Sequence, residues 1–142
     1  MRTDHIGYLV ASLTDSCRSF AVLGFTVAGD SVDDPVQRAR IQFLSGPDGE
    51  RVELVEPHPD NRSLRRMLDK RGPGVYHVCY GTEDLDATRT LLLENGWTPL
   101  SRPVPAPALG GRQICYFWKE EEGFLEFVEK KRNEEDGKNR SF

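Results

Sequence analysis

Residues 5–25 read HIGYLVASLTDSCRSFAVLGF, and the same order of residue types returns over residues 77–97 as HVCYGTEDLDATRTLLLENGW. The offset is a constant 72: His5 matches His77, Tyr8 matches Tyr80, Leu13 matches Leu85, Gly24 matches Gly96 and Phe25 matches Trp97. Farther on, RVELVE from Arg51 is answered by FLEFVE from Phe124, so Glu53 matches Glu126 at an offset of 73. One residue inserted between the two sets of anchors accounts for the change. Such a repeat governs how every other residue is read, because equivalent positions take equivalent places in the fold.

Each half shows the same periods. Ile6, Tyr8 and Val10 alternate with His5, Gly7 and Leu9, and Val78 and Tyr80 alternate with His77 and Cys79, as in a strand. Residues 14–23 and about 86–95 offer hydroxyl or acidic groups for a first-turn cap. They also carry one apolar stripe each, Cys17, Phe20 and Ala21 in the first and Leu91 and Leu92 in the second, which predicts two helices. Gly24 and Gly96 follow where a helix must stop in left-handed backbone. Strand-like stretches then cover 25–28, 39–44 and 51–56 in the first half and 97–100, 113–118 and 125–129 in the second. The turns GPDG at Gly46 and EEG at Glu121 separate the last two of each set. The predicted fold class is α+β, a tandem pair of βαβββ repeats.

Between the halves, PHPDNRSLRRMLDKRGPG from Pro57 places Leu64, Met67 and Leu68 at helical spacing, which predicts a bridging helix over about 61–71. The Pro- and Gly-rich RPVPAPALGGR from Arg102 reads as a loop that borders a binding site. At 142 residues the chain fits one domain. We expect it over 1–130, with half-modules at about 4–57 and 76–130 and a polar tail at 131–142.

Nineteen Lys and Arg against 23 Asp and Glu give a net charge of −4, which argues against nucleic acid or an anionic membrane as the partner. A small molecule is expected instead. The first residues, MRTDHIGYLV, lack the basic-then-apolar pattern of a secretory signal, and no apolar run is long enough to span a bilayer. Cys17, Cys79 and Cys115 are widely spaced without a CxxC pair, which fits reduced thiols and a cytoplasmic setting.

The repeat singles out His5, Glu53, His77 and Glu126. A lone His at a strand start is ordinarily an edge residue and a lone Glu in a sheet a solvated charge. Here a carboxylate sits inside each of two apolar strands, VELV and LEFV, where burial alone is costly. Pseudo-twofold pairing of the halves, within one chain or across two, would gather all four near the axis. Two imidazoles and two carboxylates form an N/O set suited to one divalent ion, Zn, Co, Ni, Mn or Fe. Glu56 and Glu129 also repeat, at the opposite strand parity, and are expected to face outward.

HIGYLV, RVELVEP, GVYHVCY followed by EDLD, and LEFVEK resemble, in order and spacing, the vicinal oxygen chelate superfamily over nearly all of residues 4–130. That superfamily includes glyoxalases, bleomycin-resistance proteins and extradiol dioxygenases. Within it the chain is most similar to the methylmalonyl-CoA epimerases, whose bridging helix and Gly-rich approach to the second His resemble SLRRMLDKRGPGVYH. The resemblance implies a cupped mixed sheet, a homodimer, and metal ligands at His5, Glu53, His77 and Glu126. Two departures stand out. Val36 and Gln37, in DPVQRA, occupy the stretch where the epimerases carry an acidic base, and ALGGR replaces their Ala-His-Gly element.

The chemistry expected is metal-dependent proton transfer next to a carbonyl, as in an epimerase or isomerase. Without the usual base, the proton falls to a ligand carboxylate, Glu126 or Glu53, as the resemblance to glyoxalase I allows; Asp33 and Asp34 are lesser candidates. Arg112 is a candidate anion contact, and Arg62, Arg65, Arg66, Lys70 and Arg71 form a basic patch that reads mainly as a solvated helix face. Tyr8, Trp97, Tyr116 and Trp118 read as core. Competing readings are a glyoxalase I-type lactoylglutathione lyase, an extradiol-type dioxygenase using His5, His77 and Glu126, and a non-enzymatic binding or resistance protein.

Overall fold

The first helix of each half begins in the same way. In the computed structural model, which describes residues 1–130, the Ser12 hydroxyl accepts from the Asp15 N–H and Asp84 from the Ala87 N–H. These N-caps satisfy amides that the first turn leaves free. The expected tail at 131–142 lies outside the described residues.

The first half runs β1 (Arg2–Leu9), α1 (Leu13–Val22), β2 (Thr26–Val27), β3 (Val32–Asp34), β4 (Ala39–Ser45) and β5 (Arg51–Pro57). After the bridging helix α2 (Arg62–Arg71), the second half runs β6 (Gly74–Thr82), α3 (Leu85–Glu94), β7 (Thr98–Pro99), β8 (Val104–Ala106), a 3-10 turn (Pro107–Leu109), β9 (Arg112–Lys119) and β10 (Gly123–Glu129). The strands form one mixed sheet ordered β2-β4-β5-β1-β6-β10-β9-β7, with β3 on β4 and β8 on β9. Read outward from its centre, the order is the same in both directions. β1 is parallel to β5, β6 is parallel to β10, and β1 meets β6 antiparallel at the pseudo-twofold. The halves therefore pair within one chain.

Each helix covers the outer face of its own half. Leu13, Cys17 and Phe20 of α1 pack on Val10, Leu44, Val52 and Leu54, while Leu85 and Leu92 of α3 pack on Cys115, Phe117 and Phe127. The inner face holds a third cluster, including Ile41, Phe43, Val55, Leu109, Ile114 and Val128. Side-chain alternation thus leaves one face of the sheet for the helices and the other for the cup.

The structure corrects the βαβββ reading in one respect. Each half has a further short strand, β3 or β8, and the latter lies inside the segment read as a loop. Pro105 is tolerated there because β8 pairs on one side only, with β9. These strands also locate the inserted residue. β3 and β8 keep the offset of 72 and β4 and β9 keep 73, so the insertion falls in the intervening turn, 35–38 in one half and 107–111 in the other. Both turns pass through left-handed backbone, at Arg38 (φ 52°) and at Gly110 and Gly111 (φ 68° and 79°).

Two register shifts along the central pair were not legible beforehand. One lies between Thr3 and His5 and the other between Gly7 and Tyr8, which leaves Asp4 of β1 and Tyr76 of β6 as extra residues. They are equivalent by the 72-residue offset, and each immediately precedes a repeat histidine. A bulge re-aims side chains, here bringing Asp4 and Tyr76 beside His5 and His77.

Gly7 lies opposite His77 in the same pairing, and a Cβ at Gly7 would overlap the His77 ring. Gly7→Ala is therefore expected to displace His77 and to cost about 1–3 kcal/mol through overpacking. Urea unfolding of the variant against the parent chain measures the loss, and an unchanged midpoint would show that the ring is not confined there.

Candidate metal centre

His5 projects from β1, His77 from β6, Glu53 from β5 and Glu126 from β10, the four central strands. All four residues are buried, at 1–3% exposure. His5 Nε2 lies 3.0 Å from Glu126 Oε1 and 3.5 Å from Glu53 Oε2; His77 Nε2 lies 3.5 Å from Glu126 Oε1 and 3.7 Å from Glu53 Oε1. One ligand atom from each falls within 4.8 Å of the others. The structure thus brings together the four residues that the repeat singled out.

The donor set fits a divalent cation. His5 Nε2, both ring nitrogens of His77 and Glu126 Oε1 are buried without a hydrogen-bond partner. Unpaired buried polar atoms are expensive, and two buried carboxylates need compensating positive charge. An ion on the two Nε2 atoms and the carboxylate oxygens would supply both the charge and the missing bonds.

Without an ion, protons carry the compensation. Burial lowers the His5 pKa, but the hydrogen bond to Asp4 and the close Glu126 and Glu53 carboxylates outweigh it and push the value up to about 10. Burial raises Glu53 to about 7 against the pull of His5. Burial also opposes the charge on Glu126, yet its contacts with the two imidazoles hold it below the usual carboxylate range.

Aromatic rings flank the cluster symmetrically. Phe43 meets His5 edge-on at 5.1 Å and Tyr116 meets His77 at 5.7 Å, from equivalent places on β4 and β9. Beyond that the halves differ. On the first-half side, Arg51 lies over the Phe43 ring at 4.7 Å and Leu109 packs into the inner cluster with Phe43. On the second-half side a cavity of about 370 Å³ opens beneath α2, walled by Leu64, Met67, Tyr76, Leu100, Tyr116 and Phe124.

Gln37 enters this cavity from the β3–β4 turn. Its Nε2 donates to Asp34 Oδ2 at 2.7 Å, which leaves its Oε1 to accept from the Tyr116 hydroxyl at 3.0 Å. Asp34 is fully buried and also accepts from the Val36 and Gln37 N–H groups at 3.0 Å. It therefore holds the turn. Tyr116, expected in the core, faces the cavity, and Trp118, expected there too, is 39% exposed. Tyr8 and Trp97 pack against the outer clusters.

Other candidates lie elsewhere. Asp33 pairs with His58 at the surface at 2.5 Å. Arg112 donates to the Leu109 and Glu129 carbonyls at 3.0 and 3.1 Å and approaches Asp4 at 3.9 Å, so its guanidinium is engaged away from the cavity. Arg65 donates to the Pro57 and His58 carbonyls, and Arg62 lies on a shallow polar cleft with Arg38 next to the cavity. Glu56 accepts from the Leu13 N–H at 3.2 Å on the outer face. Sequence reasoning missed Asp4, Tyr76 and the cavity role of Gln37. A bulge leaves no periodic signal, and a glutamine in a turn resembles any polar loop residue.

The sequence pattern of the Glyoxalase/Bleomycin resistance protein/Dioxygenase superfamily matches residues 4–116, and the chain belongs to that superfamily. It is 26% identical over 117 residues to an ethylmalonyl-CoA/methylmalonyl-CoA epimerase of Cereibacter sphaeroides, covering 81% of this chain and 86% of that protein. Among solved structures, hypothetical protein BH1468 of Bacillus halodurans matches with a TM-score of 0.82 and 28% identity, over 93% of this chain and 96% of that one. A variant of Streptomyces coelicolor methylmalonyl-CoA epimerase in complex with 2-nitronate-propionyl-CoA matches with a TM-score of 0.79 and 26% identity, over 93% and 99%. The fold is the vicinal oxygen chelate fold implied by the sequence.

Ligand atoms must shed their protons to bind an ion. With His5 raised to about 10 and Glu53 to about 7, the site holds protons at neutral pH that Zn²⁺ must displace. Affinity should therefore rise with pH across the neutral range, by about tenfold per pH unit for each proton released. Titration calorimetry at pH 7 in buffers of different ionisation enthalpy should show at least one proton released per ion. Buffer-independent heats would contradict the protonated cluster.

Proposed function

We propose that this chain is a metal-dependent epimerase or isomerase that moves a proton next to the carbonyl of a CoA thioester. The observation that carries this reading is the four-residue centre beside an open cavity. A divalent ion there would polarise a substrate carbonyl and stabilise the charge that develops on its oxygen.

The surroundings suit such a substrate. Leu64, Met67, Leu100 and Phe124 make one side of the cavity apolar, and among the described residues its lining contains no Lys or Arg. It therefore favours a neutral chain with amide groups. The polar cleft next to it, with Arg38 and Arg62, offers cations for a phosphate at the far end of such a chain. The epimerase relatives point to the same substrate class. A glutathione adduct, with two carboxylates, would find no cation in the cavity, which disfavours a glyoxalase I-type lyase. Glu53, as a fourth group in the centre, weighs against an oxygen-activating site of two His and one carboxylate.

Val36 is 61% exposed and cannot act as a base, so the proton falls to a buried carboxylate. Glu126 shares one oxygen with both imidazoles, at 3.0 and 3.5 Å, and is held charged. Glu53 sits farther from both, at 3.5 and 3.7 Å, so it is the carboxylate freer to leave an ion and take up a proton. We assign Glu53 as the proton carrier and Glu126 as the firmer anchor.

Incubation of the zinc-loaded protein with methylmalonyl-CoA and with ethylmalonyl-CoA in deuterated water tests the reading. Deuterium should enter the α-carbon of at least one, and its absence from both would reject CoA-thioester epimerisation. Glu53→Gln should lower that exchange by about 10²- to 10⁴-fold while keeping bound zinc. Glu126→Gln should lose both. The reverse pattern would exchange the two roles.

A further inference from the structure

The two histidines of the centre occupy equivalent places in the repeat, yet their second nitrogens differ. His5 Nδ1 lies 2.7 Å from Asp4 Oδ1. The Asp4 carboxylate is itself approached by Arg51 at 3.4 Å and by Arg112 at 3.9 Å. Arg112 is in turn fixed by the Leu109 and Glu129 carbonyls, on the turn before β9 and at the end of β10. An ionised carboxylate only accepts, so this contact places the proton on His5 Nδ1 and frees Nε2 for the centre. In the second half the equivalent residue is Tyr76. Its ring packs edge-on against His77 at 4.5 Å, and His77 Nδ1 is buried with no partner.

Both features come from the paired bulges. Each adds one residue before a histidine, and the residue added is an acid in one half and an aromatic in the other. The difference also has a direction. Tyr76 and Tyr116, the rings against His77, both line the cavity, whereas the His5 side is filled by Phe43, Arg51 and Asp4.

We propose that Asp4 is a positioning residue that locks the His5 ring with Nδ1 protonated and Nε2 toward the centre, making His5 the hydrogen-bonded ligand and His77, on the cavity side, the one held by packing alone. A ligand histidine whose other nitrogen is hydrogen-bonded to a carboxylate is held in orientation and is the stronger donor. Among the described residues His77 Nδ1 has no such support, and its ring is kept in place by packing against Gly7, Tyr76 and Tyr116. The inference rests on the four residues being ligands, and it makes the pseudo-symmetric centre functionally one-sided.

The test uses Zn²⁺ alone and the full chain, freed of metal and titrated in competition with a chelator. The wild-type chain should bind one ion, and failure to bind any would remove the centre and this inference together. Given binding, Asp4→Ala should weaken Zn²⁺ affinity about 10- to 100-fold with unchanged stoichiometry. Asp4→Asn, which keeps an oxygen able to accept from Nδ1–H, should stay within a few-fold of wild type. Asp4→Ala at wild-type affinity, or Asp4→Asn as weak as Asp4→Ala, would overturn the lock while leaving the centre in place. Long-range ¹H–¹⁵N correlation of the zinc-bound wild type gives a reading that needs no variant to fold. His5 should show a protonated, slowly exchanging Nδ1 and an ion on Nε2, and coordination of His5 through Nδ1 would overturn the proposal.

Discussion

Two carboxylates buried against two imidazoles set the terms for the rest of this molecule. Glu53 and Glu126 are 3% and 1% exposed, and among the described residues neither has an Arg or Lys to neutralise it directly. A buried charge without compensation costs several kcal/mol. The chain meets that cost with protons when no ion is present, as the raised pKa values of His5 and Glu53 indicate. A divalent cation removes the same cost by coordination. Folding, protonation and the binding of such an ion would therefore be linked at one point, where the four central strands meet.

The duplicated sheet brings those four groups together with little need for loops. β1 and β6 supply the histidines, and their parallel neighbours β5 and β10 supply the carboxylates. Gly7 leaves room for the His77 ring because no side chain stands opposite it. Rigid strands hold ligands more exactly in place than loops, which suits a centre whose atoms must converge within a few ångströms.

Function arises where the halves stop being alike. The turn after β3 sends Gln37 toward Tyr116, while its longer counterpart after β8 sends Leu109 into the inner cluster against the first half's β3 and β4. One side of the cup is thereby filled and the other remains open beneath α2. α2 has no fully buried residue, and its Leu64 and Met67 face the cavity, so the roof of the site is a helix that burial holds only lightly. Such elements are where motion is least costly.

The sequence by itself determined the repeat, and with it the two outer helices, the pairing of His5 with His77 and of Glu53 with Glu126, and the superfamily. Those readings rest on local period and on matched positions, both of which survive in a linear string. It also determined that one residue was inserted, though not where. Only the tertiary structure decided the short strands β3 and β8, because three residues are too few to show a period. The bulges at Asp4 and Tyr76 depend on which residue faces which across two strands 72 positions apart, so no pattern within either strand discloses them. The same reason governs Arg112: its partners, Asp4 and the Glu129 carbonyl, are distant in sequence, and its place behind His5 exists only once the sheet has closed.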